Sequence, residues 1–362
     1  MIGARTFLER FRHAAGLLVL LSLCIWATRL EAKPDISSIK AAPIAVESAP
    51  IRSFTRSGSA DARVNKLTFR GGLVLRSPSP VFGGWSGLIV DDDGKRFLAI
   101  SDIGAWMSGK IVYEGVRPTG IEDARLGPLL GRDGATIKRS RDRDSESIAL
   151  ENGTLEHGSL LVGFERRHRI ERFPLTAAGP SASIGSLPLP ATARRMRANQ
   201  GLEAITVMKG GPNKGSVVAF AERLYDASRN HTGWLWTSRG PETIHLKNIG
   251  DYDVTDLSSL DDGTLFVLER RFRWLEGVKM RLVRVAPDAL RAGRTIEGET
   301  LIEADLNDEI DNMEGLSVTR LKSGEVLVTM ISDDNFNTFL QRTLLLQFTV
   351  DDTGQAKARP QN

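Results

Sequence analysis

The chain has 362 residues, with 48 lysine and arginine side chains against 45 aspartate and glutamate, and a single cysteine. Setting aside residues 1–32, which hold four arginines and two glutamates, leaves 44 basic against 43 acidic groups, so net charge gives no support to a general nucleic-acid or membrane-surface role. The length suits one large all-β domain or two ordinary ones, and Cys24 falls within the first thirty residues, leaving no disulfide framework or thiolate chemistry beyond them.

Residues 1–32 read as a signal peptide. Arg5, Arg10 and Arg12 precede the apolar run AAGLLVLLSLCIWAT, which is short for a membrane span, and Leu30-Glu31-Ala32 offers a small-residue cleavage site. No arginine pair precedes the run, so the general secretory route to the periplasm or the exterior is expected, with an uncleaved N-terminal anchor as the alternative. Leu23 is not the small residue that lipid attachment at Cys24 needs. Residues 33–60, rich in Ala, Ser and Pro, read as a linker or irregular outer strands; residues 61–350 are expected to form the main domain, and 351–362 a disordered tail.

The main domain repeats one pattern. GWSGLIV (84–90), DSESIAL (144–150), GLEAITV (201–207), VTDLSSL (254–260) and NMEGLSV (312–318) each place a polar or acidic residue at the start of an apolar run. A turn signal and a second apolar strand follow, ending near Asp102, Glu165, Glu222, Glu269 and Asp333. The period, 53 to 60 residues between Ser86, Glu146, Glu203, Asp256 and Glu314, predicts a β-propeller of five or six four-stranded blades. A sixth blade would have to come from residues 33–83. The strands in 63–75 and 343–350 are expected to pair and close the ring.

In a hairpin the start of the first strand lies beside the end of the second. This would bring Glu146 to Glu165 and Arg166, Glu203 to Glu222 and Arg223, Asp256 to Glu269 and Arg270, and Glu314 to Asp333, all at one mouth of the ring. Such an all-oxygen set suits calcium or magnesium rather than zinc. Asp333, Asn335 and Asn337 follow the alternate spacing of a calcium loop, and Asp334 and Asp102 join them as candidate ligands, although Thr338 stands where that loop needs glycine. Glu-Arg pairs that lock neighbouring blades would leave the same pattern without chemistry. The runs KRSRDRD (138–144) and RRMR (194–197) read as solvated loops. His168 reads as a hydrogen-bonding residue or a general acid-base, and Trp85, Trp106, Trp234, Trp236 and Trp274 as blade packing. No nucleophile elbow, phosphate-cradling glycine loop or HExxH site occurs.

FRGGLVL, FGGWSGLIVDDDGKRFLAISDIG, DSESIAL, GFERRHRIERF, NQGLEAI, YDVTDLSSLDDGTLFVLERRF, NMEGLSV and ISDDNFNTFLQRTLLLQF together span residues 69–350. This combination resembles the phytase-like domain family, described by the esterase-like activity of phytase and found in secreted bacterial proteins. The resemblance implies a propeller-like domain in which repeated acidic positions carry phosphoester hydrolysis: here Glu146, Glu203, Asp256, Glu314, Glu165, Glu269, Asp333 and Asp334. Ser147 departs from the glycine the pattern favours. The reading is then a secreted monomer that hydrolyses a small-molecule phosphoester with calcium, Arg166, Arg223, Arg270 and His168 meeting the substrate. A non-catalytic binding propeller and a metal-dependent lactonase or esterase are the alternatives.

Overall fold

The computed structural model describes residues 33–58 and 62–351; the expected signal peptide and nearly all of the expected tail lie outside them. Five sheets follow one another along the chain, each running outward from an innermost strand. Blade 1 orders Trp85–Val90, Arg96–Ser101, Ala105–Glu114 and Arg117–Pro128, with Ala42–Pro43 at its outer edge. Blade 2 runs from Ser145–Gly153 and blade 3 from Leu202–Val207, the latter gaining Thr295–Ile296 as a parallel outer strand. Blade 4 runs from Asp253–Ser259. Blade 5 orders Met313–Arg320, Val326–Ser332, Thr343–Val350, Leu67–Arg76 and Glu47–Ile51. Counting supplementary strands, the sheets hold five, five, five, four and six. The arrangement is thus an all-β propeller of five blades. No sixth blade arises from residues 33–83, because their strands are absorbed by blades 1 and 5.

Local chemistry sets the hairpins. In the turn after Val90, Asp91 Oδ1 accepts the backbone N–H groups of Lys95 (3.0 Å) and Arg96 (3.1 Å), and Gly94 takes φ 76°. The core is five apolar layers, one between each pair of neighbouring blades, the fifth and first included. Phe54, Phe69 and Phe348, for example, stack at 5.1–5.5 Å between blades 4 and 5. Trp85, Trp106, Trp234 and Trp236 are buried, as packing residues should be. Trp274 is not, being 87% exposed at a hairpin tip.

Each innermost strand is paired on one side only, so its axial edge presents unmatched backbone groups to the neighbouring blade. Side-chain oxygens match several of them. Ser317 Oγ accepts Val90 N–H (2.8 Å) and Ser258 Oγ accepts Val318 N–H (2.8 Å), while Ser145 Oγ crosses from blade 2 to donate to Ser101 O at the end of the second strand of blade 1 (2.7 Å). Asp256, fully buried, does the most. Its carboxylate accepts the N–H groups of Leu257 (2.8 Å) and of Leu316 in blade 5 (2.7 Å), and that of Leu88 in blade 1. Burial drives this carboxyl well above the usual range, and the three donors oppose that rise.

Asp256 occupies a position where the other blades carry Gly87, Ser147, Ala204 and Gly315, as the strand registers show. Small residues are needed because inner strands approach closely there: a Cβ on Gly315 would meet Ile331 and the backbone of Gly87. Ser147 is accommodated because the residue opposite it, Gly163, has no side chain.

Removing the axial carboxylate should therefore cost stability. Asp256→Ala leaves up to three buried N–H groups without an acceptor and is expected to lose about 3 kcal/mol, while Asp256→Asn, which keeps a carbonyl oxygen, should lose less. Equilibrium urea unfolding of the two variants reads this directly, and wild-type stability in the alanine variant would refute it.

Candidate functional site

The registers contain one irregularity in all five blades. Where each inner strand begins, a single residue is skipped by its partner: Ser86, Glu146, Glu203, Thr255 and Glu314. Each is a β-bulge, an extra residue that leaves the ladder and re-aims its side chain without putting the rest of the strand out of phase. Beside them, one residue beyond the second-strand partner of the residue before each bulge, stand Asp102, Glu165, Glu222, Arg270 and Asp333. The mouth is built from these ten positions.

Blade 4 corrects the expectation. Its bulged residue is Thr255, not Asp256, and its second-strand position is Arg270, not Glu269. Thr255 turns its hydroxyl onto Leu268 O (3.3 Å) and Met313 O (3.4 Å). Glu269, one residue back, is buried against Arg281, whose Nε donates to it at 2.7 Å, and burial pushes its carboxyl up to about 7 despite that guanidinium. The fourth blade thus places a cation where its neighbours place acids.

The carboxylates crowd most densely at blades 2 and 3. Ligand atoms of Asp144, Glu146 and Glu165 lie within 4.8 Å of one another, as do those of Glu165, Glu203 and Glu222, so Glu165 belongs to both triads. Glu165 Oε1 also accepts the N–H of Gly201 (3.0 Å). Burial, then the charges of Asp102, Asp144, Glu314 and Glu165, drive Glu146 well above the usual carboxylate range. Glu203 is driven up in the same way by burial and by Glu146, Glu165 and Glu222, and a side-chain hydrogen bond joins it to Glu165. Asp333 is raised by burial and by Glu314 and Asp102.

Arg270 is the cation inside this ring. Its Nη2 lies 3.6 Å from Glu314 and 3.9 Å from Glu222, loose contacts that span blades 3, 4 and 5. The surrounding carboxylates hold its guanidinium above its usual range although burial opposes them. Asn312 Nδ2 donates to Glu314 Oε1 at 2.8 Å. The other two arginines are engaged with carboxylates: Arg166 Nε with Asp144 (2.7 Å), and Arg223 with Asp253 through Nε (3.0 Å) and Nη2 (2.6 Å). The Arg223 pair ties blade 3 to blade 4.

The remaining candidates sit around this ring. His168 packs against Gly201, behind the loop that supplies the N–H to Glu165, and burial lowers its imidazole below the usual range. Asp334 is a clamp: Oδ1 accepts Gly84 N–H and Phe336 N–H (both 3.1 Å), and Oδ2 accepts the Thr343 hydroxyl (2.9 Å). Asp333 Oδ1 accepts Asn335 N–H (2.6 Å) in a tight turn, with Asn335 at φ 48°. Sequence reasoning placed Asp144 in a solvated loop and left Glu222 out of its site set. Asp144 is instead buried, and so is its neighbour Arg143, whose Nη2 donates to Pro34 O (3.2 Å). The available signals were the D-x-E spacing of Asp144 and Glu146, and the shared E-R of FERR and AERL.

Chemically, the site is a carboxylate-lined opening on a five-bladed propeller, able to hold a hard cation in either triad and an anion at Arg270. The model of the phytase-like family, described as the esterase-like activity of phytase, matches residues 80–336. The chain belongs to that family. No curated protein matches it. Among solved structures, the β-propeller domain of Myceliophteria thermophila Cps50 (Swd1) is 10% identical, covering 85% of this chain and 100% of that one at a TM-score of 0.37. The catalytic domain of the Coprinopsis cinerea GH62 α-L-arabinofuranosidase is 11% identical, covering 84% and 97% at 0.45. A nidogen/laminin complex chain is 13% identical, covering 74% and 87% at 0.38. Likenesses this distant have no bearing on the chemistry of this chain.

A carboxyl raised by the fold keeps its proton where the unfolded chain has lost it. Its stabilising contribution is therefore full below the unfolded value and disappears as pH rises through the folded one. Glu222, pushed up to about 7 chiefly by burial, sets the window together with the raised Glu146 and Glu203. Metal-free protein is expected to melt lower at pH 8 than at pH 5.5, by on the order of 5 °C, and millimolar calcium should recover most of the loss at pH 8. Thermal scans at both pH values, with calcium and with chelator, check the sign.

Proposed function

We propose that this protein hydrolyses a small-molecule phosphoester at the acidic mouth with a calcium ion. The observation that carries the reading is the pair of overlapping triads meeting at Glu165, with Arg270 beside them. The donors fit such an ion: all are carboxylates, and five of them (Asp144, Glu146, Glu165, Glu203 and Glu222) share one small volume.

Asp144, Glu146 and Glu165 would hold the ion, with Arg166 neutralising the outer oxygen of Asp144. When bound, it supplies Lewis acidity at the phosphoryl group. Arg270, loosely held between Glu222 and Glu314, receives the remaining phosphoryl oxygens as a charge-assisted donor. Glu203 keeps its proton through burial and its acidic neighbours, so it is poised to give that proton to the leaving oxygen. Asp256 and Glu269 take no part in the reaction, being committed to backbone N–H groups and to Arg281.

In the same reading the protein works as a monomer in the periplasm or outside the cell after loss of residues 1–32. Four strands form the working unit of each blade, and the antiparallel pairing of Leu67–Arg76 with Thr343–Val350 clasps the ring.

Turnover of p-nitrophenyl phosphate, bis(p-nitrophenyl) phosphate and a γ-lactone by residues 33–362, titrated with calcium or chelator, tests the proposal. Calcium-dependent release from a phosphoester is expected, with kcat reduced about 10²-fold or more in Glu165→Gln and in Arg270→Met. Turnover of the lactone alone would select the esterase alternative. Stabilisation by calcium with no turnover of any of the three would select a binding propeller.

A further inference from the structure

The loops at the mouth end carry a second pattern, independent of the carboxylates. Trp274 and Leu275 form the tip of the blade 4 hairpin closed by Arg273 and Gly277, and Phe339 and Leu340 lie in the 333–342 loop of neighbouring blade 5. Their exposures are 87%, 94%, 94% and 70%. Trp274 stands four residues beyond Arg270, just past the end of the strand that carries it, about 10 Å of strand at ~3.3 Å per residue separating Arg270 from the turn. Phe272, on that strand, is also exposed. Isolated exposed apolar residues are ordinary, but here five large ones stand on neighbouring blades at one end of the ring.

Basic residues stand at the same end. Arg139 enters blade 2, and Arg194, Arg195 and Arg197 enter blade 3; all four side chains are exposed, and none has an ion-pair partner among the described residues. Arg141 and Arg167 share Asp142 at 3.4 and 3.9 Å. The exposed acids Asp251 and Glu276 are matched by Arg273, at 3.4 and 3.1 Å. Unpaired arginines on the side of blades 2 and 3 and apolar tips on the side of blades 4 and 5 thus flank a buried acidic centre. The near balance of 44 basic against 43 acidic groups over residues 33–362 conceals this separation.

We infer that the mouth face docks on an anionic lipid bilayer, with Trp274, Leu275, Phe339 and Leu340 entering the interfacial layer and the arginines meeting the headgroups. Tryptophan and leucine on short tips suit the headgroup boundary, and clustered arginines suit its negative potential. Attachment is peripheral, since no helix among the described residues is long and apolar enough to cross a membrane. Pro34 lies at this end as well, its carbonyl held by Arg143 immediately before the buried Asp144. The inference does not depend on catalysis.

Residues from Pro34 onward form a compact unit of their own, so a chain starting at Lys33 isolates the surface from the apolar run at 14–28. The test is co-sedimentation of that chain with phosphatidylcholine vesicles, with and without phosphatidylglycerol. Binding is expected to be at least about tenfold stronger to the anionic vesicles and to weaken in half-molar salt. Trp274→Ser combined with Leu275→Ser, and Arg194→Glu combined with Arg195→Glu and Arg197→Glu, should each lose about tenfold in affinity while melting as wild type. No binding to anionic vesicles, or wild-type binding by both variants, overturns the inference. So does a dimer in sedimentation velocity that the tryptophan-leucine variant disperses without any vesicle binding, because the face would then join two copies of this chain.

Discussion

A strand at the centre of a ring has a hydrogen-bonding neighbour on its outer side and none on its axial side, and the rest of this structure depends on how that edge is managed. Backbone groups buried without partners would cost more than a small domain can spare. The chain answers with side-chain oxygens at fixed places: Ser258 and Ser317 reach across to the next blade, and Asp256 reaches to two. Close approach at the same level demands Gly87 and Gly315. With the middle of each inner strand committed in this way, the start of each strand is where a residue can be released from the ladder. The bulges occur there, and the functional side chains with them.

Releasing acids into a shared opening creates an electrostatic difficulty that the sequence solves only in part. Asp102, Asp144, Glu146, Glu165, Glu222 and Asp333 are buried, with Glu203 and Glu314 half-buried among them, while Arg270 is the guanidinium within the ring. Arg166 and Arg223 neutralise Asp144 and Asp253 from outside. The remaining negative charge is balanced by retained protons, which is why several of these carboxyls rise, or by a hard cation that takes the place of those protons. Replacing an acid by Arg270 in one blade also breaks the fivefold equivalence, which gives the opening a direction: carboxylates crowd at blades 2 and 3, and a guanidinium stands at blade 4.

Much of this was legible in the residues. The period, the hairpin grammar and the acid at the head of each apolar run are properties of the sequence, and they give both the propeller and the convergence of Glu146, Glu165, Glu203, Glu314 and Asp333. The slip at blade 4 has a physical cause. VTDLSSL offers Asp256 as its acid, and a bulge at Thr255 cannot be seen in a string of letters because it is a property of the pairing. Asp144 and Arg143 were hidden for a related reason. A run as charged as KRSRDRD is usually solvated, and here Pro34 from the far N-terminal end of the described chain covers it. The exposed Trp274 was misread because its type suggests burial, whereas its place at a hairpin tip decides otherwise.

Asp256 has one more consequence. Its carboxylate sits on the axis, bonded to inner strands of blades 4, 5 and 1, with the acidic opening on one side. On the other side lies a well of about 960 Å³, lined in part by Leu88, Leu257 and Leu316, the residues whose N–H groups it receives. The channel is therefore stoppered, a cup rather than a pipe. The acids and the well therefore face opposite ends of the ring, and an ion or molecule admitted to one does not share a chamber with the other.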